Sequence, residues 1–407
     1  VGDSIDGAIG GAAAGDIVEL AEGTHAGGRF YVNKDITITG ASSGGAAGSP
    51  SSAVIVEWPA SQDWEATIQA GTAALYEGSA TINVSGIHFR IDITGTEPSS
   101  QGGFQIAKIG GAPGTHVTFT DCIFEYTGGA PANPNVLNRN MLRHEGGNAA
   151  TYNNCHFKWT VEPLAFPSFV NNLGYFVPGG EVLQINCNDC IFDNLPDTNG
   201  KMRSIGSGGG GGGNVEVTLN NCLFQEDSHG GATHQQAWIS SATGTTHIQV
   251  NYCDFQSGAG RFIGHEGNPA VTTTLNGCVL HPGGEALLPD PGAVHNIKFQ
   301  NTVLLDAATR IRSATFCCEN EARAYTFQHC TFIDETPNDV RERGPGGAGV
   351  FEAPQFADPT TFENCLFHMP GAVAVVRTFS PTANDPIGGG NMRDGDTIDA
   401  ADTAPGL

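Results

Sequence analysis

"TFTDCIFE", Thr118–Glu125, is the stretch whose reading decides the fold, because close relatives of it keep returning along the chain. "TYNNCHFK" begins at Thr151, "NCNDCIFD" at Asn186, "TLNNCLFQ" at Thr218, "QVNYCDFQ" at Gln249 and "TLNGCVLH" at Thr274. "TFQHCTFI" follows at Thr326 and "TFENCLFH" at Thr361, and "KFQNTVLL" at Lys298 is a ninth copy with Thr302 at the Cys position. Taking the Cys as reference, the residue three before it is Phe119, Tyr152, Cys187, Leu219, Val250, Leu275, Phe299, Phe327 or Phe362, a nearly apolar row that points inward. Two before it stand Thr120, Asn153, Asn188, Asn220, Asn251, Asn276, Gln300, Gln328 and Glu363, and four before it Thr predominates; both rows are expected to face water. This period-two alternation marks a short strand with one buried face.

Immediately before the Cys come Asp121, Asn154, Asp189, Asn221, Tyr252, Gly277, Asn301, His329 and Asn364. Asn, Asp and Gly tolerate the left-handed backbone conformation, so the strand turns a corner there and the Cys points back inside. Two residues after it, Phe124, Phe157, Phe192, Phe224, Phe255, Leu280, Leu304, Phe332 and Phe367 form a second inward row beyond the bend. The reference positions recur every 24 to 35 residues. That interval is one coil of a parallel β-helix, whose coils stack about 4.8 Å apart. A third strand per coil is read from "NMLRHE", "GYFVP", "KMRSIG", "QAWIS", "GRFIGHE" and "GVFEA", with Gly-rich connectors such as "GSGGGGGGN" absorbing the differences in length.

At the start, "SIDGAIGGAAAGDIVELAEGTH" followed by "NKDITITGAS" resembles the opening of right-handed parallel β-helix proteins of the pectate-lyase-like superfamily. The resemblance implies an all-β, right-handed parallel β-helix with three strands per coil and a short N-terminal capping helix. Ser4 is expected as its N-cap, and Ile5 and Ile9, four apart, cover the open core. Residues 1–30 then form the cap and first strand, 31–380 the β-helix and 381–407 a C-terminal tail or cap. Because this fold hosts lyases, hydrolases, epimerases, adhesins and fibres, it leaves activity open.

The chain of 407 residues carries 57 Gly, 18 Lys and Arg and 42 Asp and Glu, a formal net charge of −24. Such a balance argues against nucleic acid as a partner and makes acidic polysaccharides awkward ligands. No stretch reaches the roughly 20 apolar residues of a membrane span. The first residue is Val1, the form a chain takes after a signal peptide is removed, so secretion to the exterior or cell surface is expected. Eleven Cys is an odd number. Inward stacking predicts buried free thiols in the row; Cys317 and Cys318, adjacent in sequence, cannot both face the core and are the best candidates for a bridge or an exposed thiol.

Two functional classes follow. One is an extracellular structural, self-assembling or glycan-binding β-helix, with itself or an extracellular polysaccharide as partner. The alternative is a polysaccharide lyase or glycoside hydrolase. A lyase needs a base and a cation that neutralises the substrate carboxylate, and Arg143, Lys201, Arg203 and Arg261 on successive third strands are the candidates, with Arg143 and Arg203 two coils or roughly 10 Å apart. "NRNMLRHEGG" is similar to the Arg-bearing strand of alginate and chondroitin lyases; no partner Lys, adjacent-Asp pair or "DPHE" accompanies it. Basic residues paired with neighbouring acids give the structural account of the same residues. His144-Glu145-Gly146 and His265-Glu266-Gly267 fall four coils apart, about 19 Å, too far for one metal ion, and fit turn-flanking polar residues. "DGDTIDAAD" offers Asp394, Asp396, Asp399 and Asp402 as calcium ligands at imperfect spacing. The Thr row could be a flat hydroxyl face for ice or sugar, although Thr favours strands in any case.

Overall fold

A computed structural model describes residues 4–28, 30–41, 50, 52–58, 72–92, 94, 105–110, 113–128, 141–159, 169–194, 201–206, 213–225, 235–240, 245–257, 261–266, 270–282, 285–288, 295–305, 310–311, 323–333, 340–341, 361–368, 376–377 and 392–393. They form a parallel β-helix of three sheets, preceded by one short helix. Through the coil that ends at Arg310–Ile311, each coil contributes one strand to each sheet in turn, and Val340–Arg341 and Val376–Arg377 pair separately in parallel. Sheet A runs from Ile17–Leu20 to Thr361–Glu363 and sheet B from Gly23–Ala26 through Leu366–His368. Sheet C runs from Phe30–Val32 to Arg310–Ile311. The third-strand readings fall on strands of sheet C, Lys201–Gly206 among them, except "GVFEA", which lies outside the described residues. In sheet C from 169 onward, the backbone alone is described.

The corner is a left-handed residue in every copy. Asp121, Asn154, Asp189, Asn221, Tyr252, Asn301, His329 and Asn364 have φ between 50° and 56°, and Gly277 has φ 67°. From Asp121 to His329 each corner N–H donates to the next coil's carbonyl, as Asp121 does to Asn153 at 3.0 Å, so the ladder continues through the bend. "TINVSGIHFR", residues 81–90, is a further copy, with Gly86 (φ 65°) at the corner and Ile87 in the Cys position.

Inside, Phe89, Phe124, Phe157, Phe192, Phe224 and Phe255 form one stack whose successive ring centroids lie 5.4, 5.5, 4.8, 4.6 and 4.4 Å apart. Burial of each ring contributes about 1.5–3 kcal/mol. The nine described cysteines are free and buried. Burial pushes the Cys155 and Cys187 thiols well above their usual range, and Cys278 up to about 12. Cys317 and Cys318 lie outside the described residues.

The row two before the Cys faces outward and is half-buried like the Thr row, and its amides bond to one another along the helix axis. Asn188 Nδ2 donates to Asn153 Oδ1 at 2.9 Å, Asn220 to Asn188 at 2.8 Å and Asn251 to Asn220 at 2.8 Å. Identical amides held one strand spacing apart satisfy each other, which the sequence alone presents only as a polar row.

At the N-terminus the helix Ile5–Gly11 covers the core with Ile5 and Ile9, and Ser4 Oγ accepts the Gly7 N–H at 3.0 Å. Within the segment read as a tail, Met392–Arg393 pairs in parallel with Leu366–Phe367 and extends sheet B by one strand.

Candidate functional site

Sheet C positions the basic residues. Arg143, half-exposed, places Nη2 2.5 Å from Glu145 Oε1, and Lys108 of the preceding coil places Nζ 2.8 Å from Glu145 Oε2. Two cations therefore share one carboxylate. The register does not put Arg143 and Arg203 in one row: Arg143 pairs with Gly174, whereas Arg203 pairs with Asn171, an offset of three positions along the strand. Arg203 instead shares a row with Gln235 and Arg261, so these two arginine positions are the pair separated by two coils, about 10 Å. Lys201 begins the strand that carries Arg203 and pairs with Phe169.

His144 is wholly buried, with Nε2 2.7 Å from the Tyr152 hydroxyl. It is a core residue rather than a turn-flanking one, because Leu142 and His144 both face inward while Arg143 and Glu145 face out. The calcium candidates Asp394, Asp396, Asp399 and Asp402 lie outside the described residues. Among the described residues no cluster of three or more His, Cys, Asp or Glu has a metal-holding arrangement.

Sheet B carries a charge ladder on its outer face. Glu57, Arg90, Glu125, Lys158 and Asp193 occupy one row in five successive coils, with alternating sign. Arg90 Nη2 lies 2.8 Å from Glu57 Oε1, and Lys158 Nζ 3.5 Å from Glu125 Oε1. One row nearer the corner, His88 Nε2 meets Glu125 Oε2 at 2.8 Å and His156 Nε2 meets Asp193 Oδ2 at 3.3 Å. Burial pushes the Glu125 carboxyl up, but the His88 hydrogen bond and the electrostatic attraction of His88 and Lys158 outweigh it and hold the group below its usual range. This ladder lies three positions after the Cys. Aligning the copies one step past the Phe row exposes it for Glu125, Lys158 and Asp193, whereas the coil of Arg90 is hidden by Ile87.

Sheet A is different in kind. Its outward side is three rows wide, and the strands are in register from Thr81–Ser85 to Arg323–Gln328. In the middle row lie Asn83, Thr118, Thr151, Asn186, Thr218, Gln249, Thr274, Lys298 and Thr326, flanked by the amide ladder on one side and a row from Thr81 to Ala324 on the other. Over those nine coils the three rows hold one carboxylate, Glu216, and one ammonium, Lys298. On a chain with 42 Asp and Glu, this is a face of hydroxyls and amides, with the imidazoles of His116 and His247 in its outer row and almost no carboxylate.

No family model matches the chain, and no curated protein matches it.

Proposed function

We propose that this protein is a secreted or cell-surface β-helix, akin in architecture to the pectate-lyase-like superfamily, that binds an extended neutral glycan along sheet A without cleaving it. The observation that carries this reading is the neutral outward face of sheet A. A strongly acidic chain repels polyanions over its surface as a whole, so a face almost free of carboxylates suits a hydroxylated, uncharged polymer. Docking there desolvates few charges, and rows of Thr, Asn and Gln offer donors and acceptors at each strand spacing to replace the water that is lost. The face is long in one direction, which suits a chain rather than a small ligand.

The test is depletion of the protein by insoluble cellulose, xylan and mannan, beside polygalacturonate and alginate, with reducing ends and unsaturated-uronate absorbance followed in parallel. Retention on a neutral polymer without new ends is expected. Failure to bind any neutral polymer overturns the reading.

A lyase is the second reading, favoured by the shared row of Arg203 and Arg261 on sheet C. Turnover of a polyuronate that disappears in Arg203→Ala and Arg261→Ala, with melting unchanged, would establish it in place of the first.

A further inference from the structure

The corner row contains one residue that does not belong there by conformational preference. Tyr252 has φ 56°, whereas its counterparts are Asp, Asn, His or Gly. A bulky residue in the left-handed region is an outlier, and an outlier of this kind is a reason to look for a role. Tyr252 is also 66% exposed, so no core packing accounts for it. Its ring reaches along the row over Gly277 of the next coil, where an added Cβ would stand 2.6 Å from Cδ1 and 2.7 Å from Cε1. The chain has Gly where most copies have Asn or Asp, and the ring occupies the space this leaves.

The position adjoins the neutral face. Asn251 precedes Tyr252 in the half-buried amide ladder, Gln249 lies exposed in the middle row of the same strand, and Asn221 and Asn301 are exposed corner amides nearby. We infer that Tyr252, seated over Gly277, is the stacking platform of a subsite for one sugar ring of a neutral glycan. The C–H face of a pyranose packs on an aromatic ring, and its rim of hydroxyls is met by the side-chain amides around it. Tyr suits this because it presents a large, stiff contact surface that loses little rotamer freedom on binding. The inference rests on the glycan-binding reading of sheet A and deepens it.

The experiment titrates soluble neutral hexasaccharides of the cellulose, xylan and mannan types into wild type, Tyr252→Asn and Tyr252→Phe by calorimetry, with thermal melting of all three. Wild type binds at least one sugar. Tyr252→Asn, which restores the residue type the corner prefers, melts at the same or a higher temperature yet binds roughly tenfold more weakly, the loss typical of a central aromatic anchor. Tyr252→Phe keeps its affinity to within about twofold. Equal binding by Tyr252→Asn overturns the inference and leaves the sheet A reading intact. A lowered melting temperature in Tyr252→Asn overturns it as well, since the ring would then serve the fold. Equal loss in Tyr252→Phe removes the stacking role. A wild type that binds none of the sugars overturns both readings.

Discussion

The Thr302 hydroxyl donates to the Gln300 carbonyl at 2.9 Å, the bond that each cysteine thiol of the same row makes to the carbonyl two residues before it at 3.4 to 3.6 Å. The exception in the row thus shows what the cysteines contribute. They are small enough to sit inside the corner and still offer a donor to a backbone carbonyl there.

Removing that donor should cost little, because the Gln300 carbonyl also accepts the Gly277 N–H at 3.0 Å. Thr302→Val is expected to lower stability by about 1 kcal/mol in urea denaturation. Thr302→Cys should be neutral within about 0.5 kcal/mol. A Thr302→Val variant as stable as wild type would show that the row is selected for size alone.

Buried thiols make the fold sensitive to base. Burial raises the folded-state pKa values of Cys155, Cys187 and Cys278, so the unfolded chain gives up these protons first. The stability is fully present below the ordinary thiol value of about 8.5 and is lost as pH climbs toward 12 for Cys278. Urea midpoints should therefore hold steady to about pH 8 and fall beyond it, by up to about 1.4 kcal/mol per pH unit for each such thiol. In native protein at neutral pH the nine described cysteines should resist a thiol reagent, and denaturant should release them.

The amide ladder gives a position-specific expectation. Asn220 both donates to Asn188 and accepts from Asn251, each at 2.8 Å. Asn220→Ala breaks both bonds and should cost about 1–2 kcal/mol. Asn220→Asp keeps an acceptor for Asn251 but turns a carboxylate toward the Asn188 oxygen. Its destabilisation should grow as pH rises through the carboxylate range, and a flat pH response would mean that the ladder does not hold in solution.

The corners, the buried rows and the capping helix were legible in the sequence because each depends on residue type at a fixed offset, as with Asp121, Cys122 and Phe124. Partners across coils were not. The Asn153–Asn188 bond exists only because the strands stack in register, so polarity alone predicts solvent exposure where the structure has mutual hydrogen bonds. Sheet C lacks a fixed Cys–Phe offset, and the loops before its strands differ in length, which is why Arg143 and Arg203 read as one row yet stand three positions apart. The strained Tyr252 was visible as an odd letter in the corner row. Its seat over Gly277 depends on how the next coil stacks, which no single position in the sequence specifies.

The charge ladder on sheet B predicts acid sensitivity with a definite sign. Glu125 is held below its usual range by His88 and Lys158, so its contribution is fully present above the ordinary carboxylate pKa and is lost as pH falls through the lower folded-state value. Glu125→Gln should be less stable than wild type near neutral pH and should lose less on acidification below about pH 4.5. Acid titrations that superimpose for the two proteins would remove Glu125 from the account.

Tyr252 and Gly277 should be energetically coupled. Gly277→Asn alone gives the position the side chain that Asn154 and Asn301 have at the same φ region, but its Cβ arrives where the Tyr252 ring lies, 2.6 Å away. The exposed ring has to swing aside, so the cost is that of displacing it and crowding the corner rather than a fixed clash, about 1 kcal/mol. With Tyr252→Asn already in place nothing occupies that space, and the second Asn can join the corner row as Asn154 does with Asp121, where Nδ2 lies 2.5 Å from Oδ1. The double variant should then be more stable than the sum of the single changes, with a coupling of about 1 kcal/mol in a thermodynamic cycle. Strict additivity would show that the ring does not rest on Gly277 in solution.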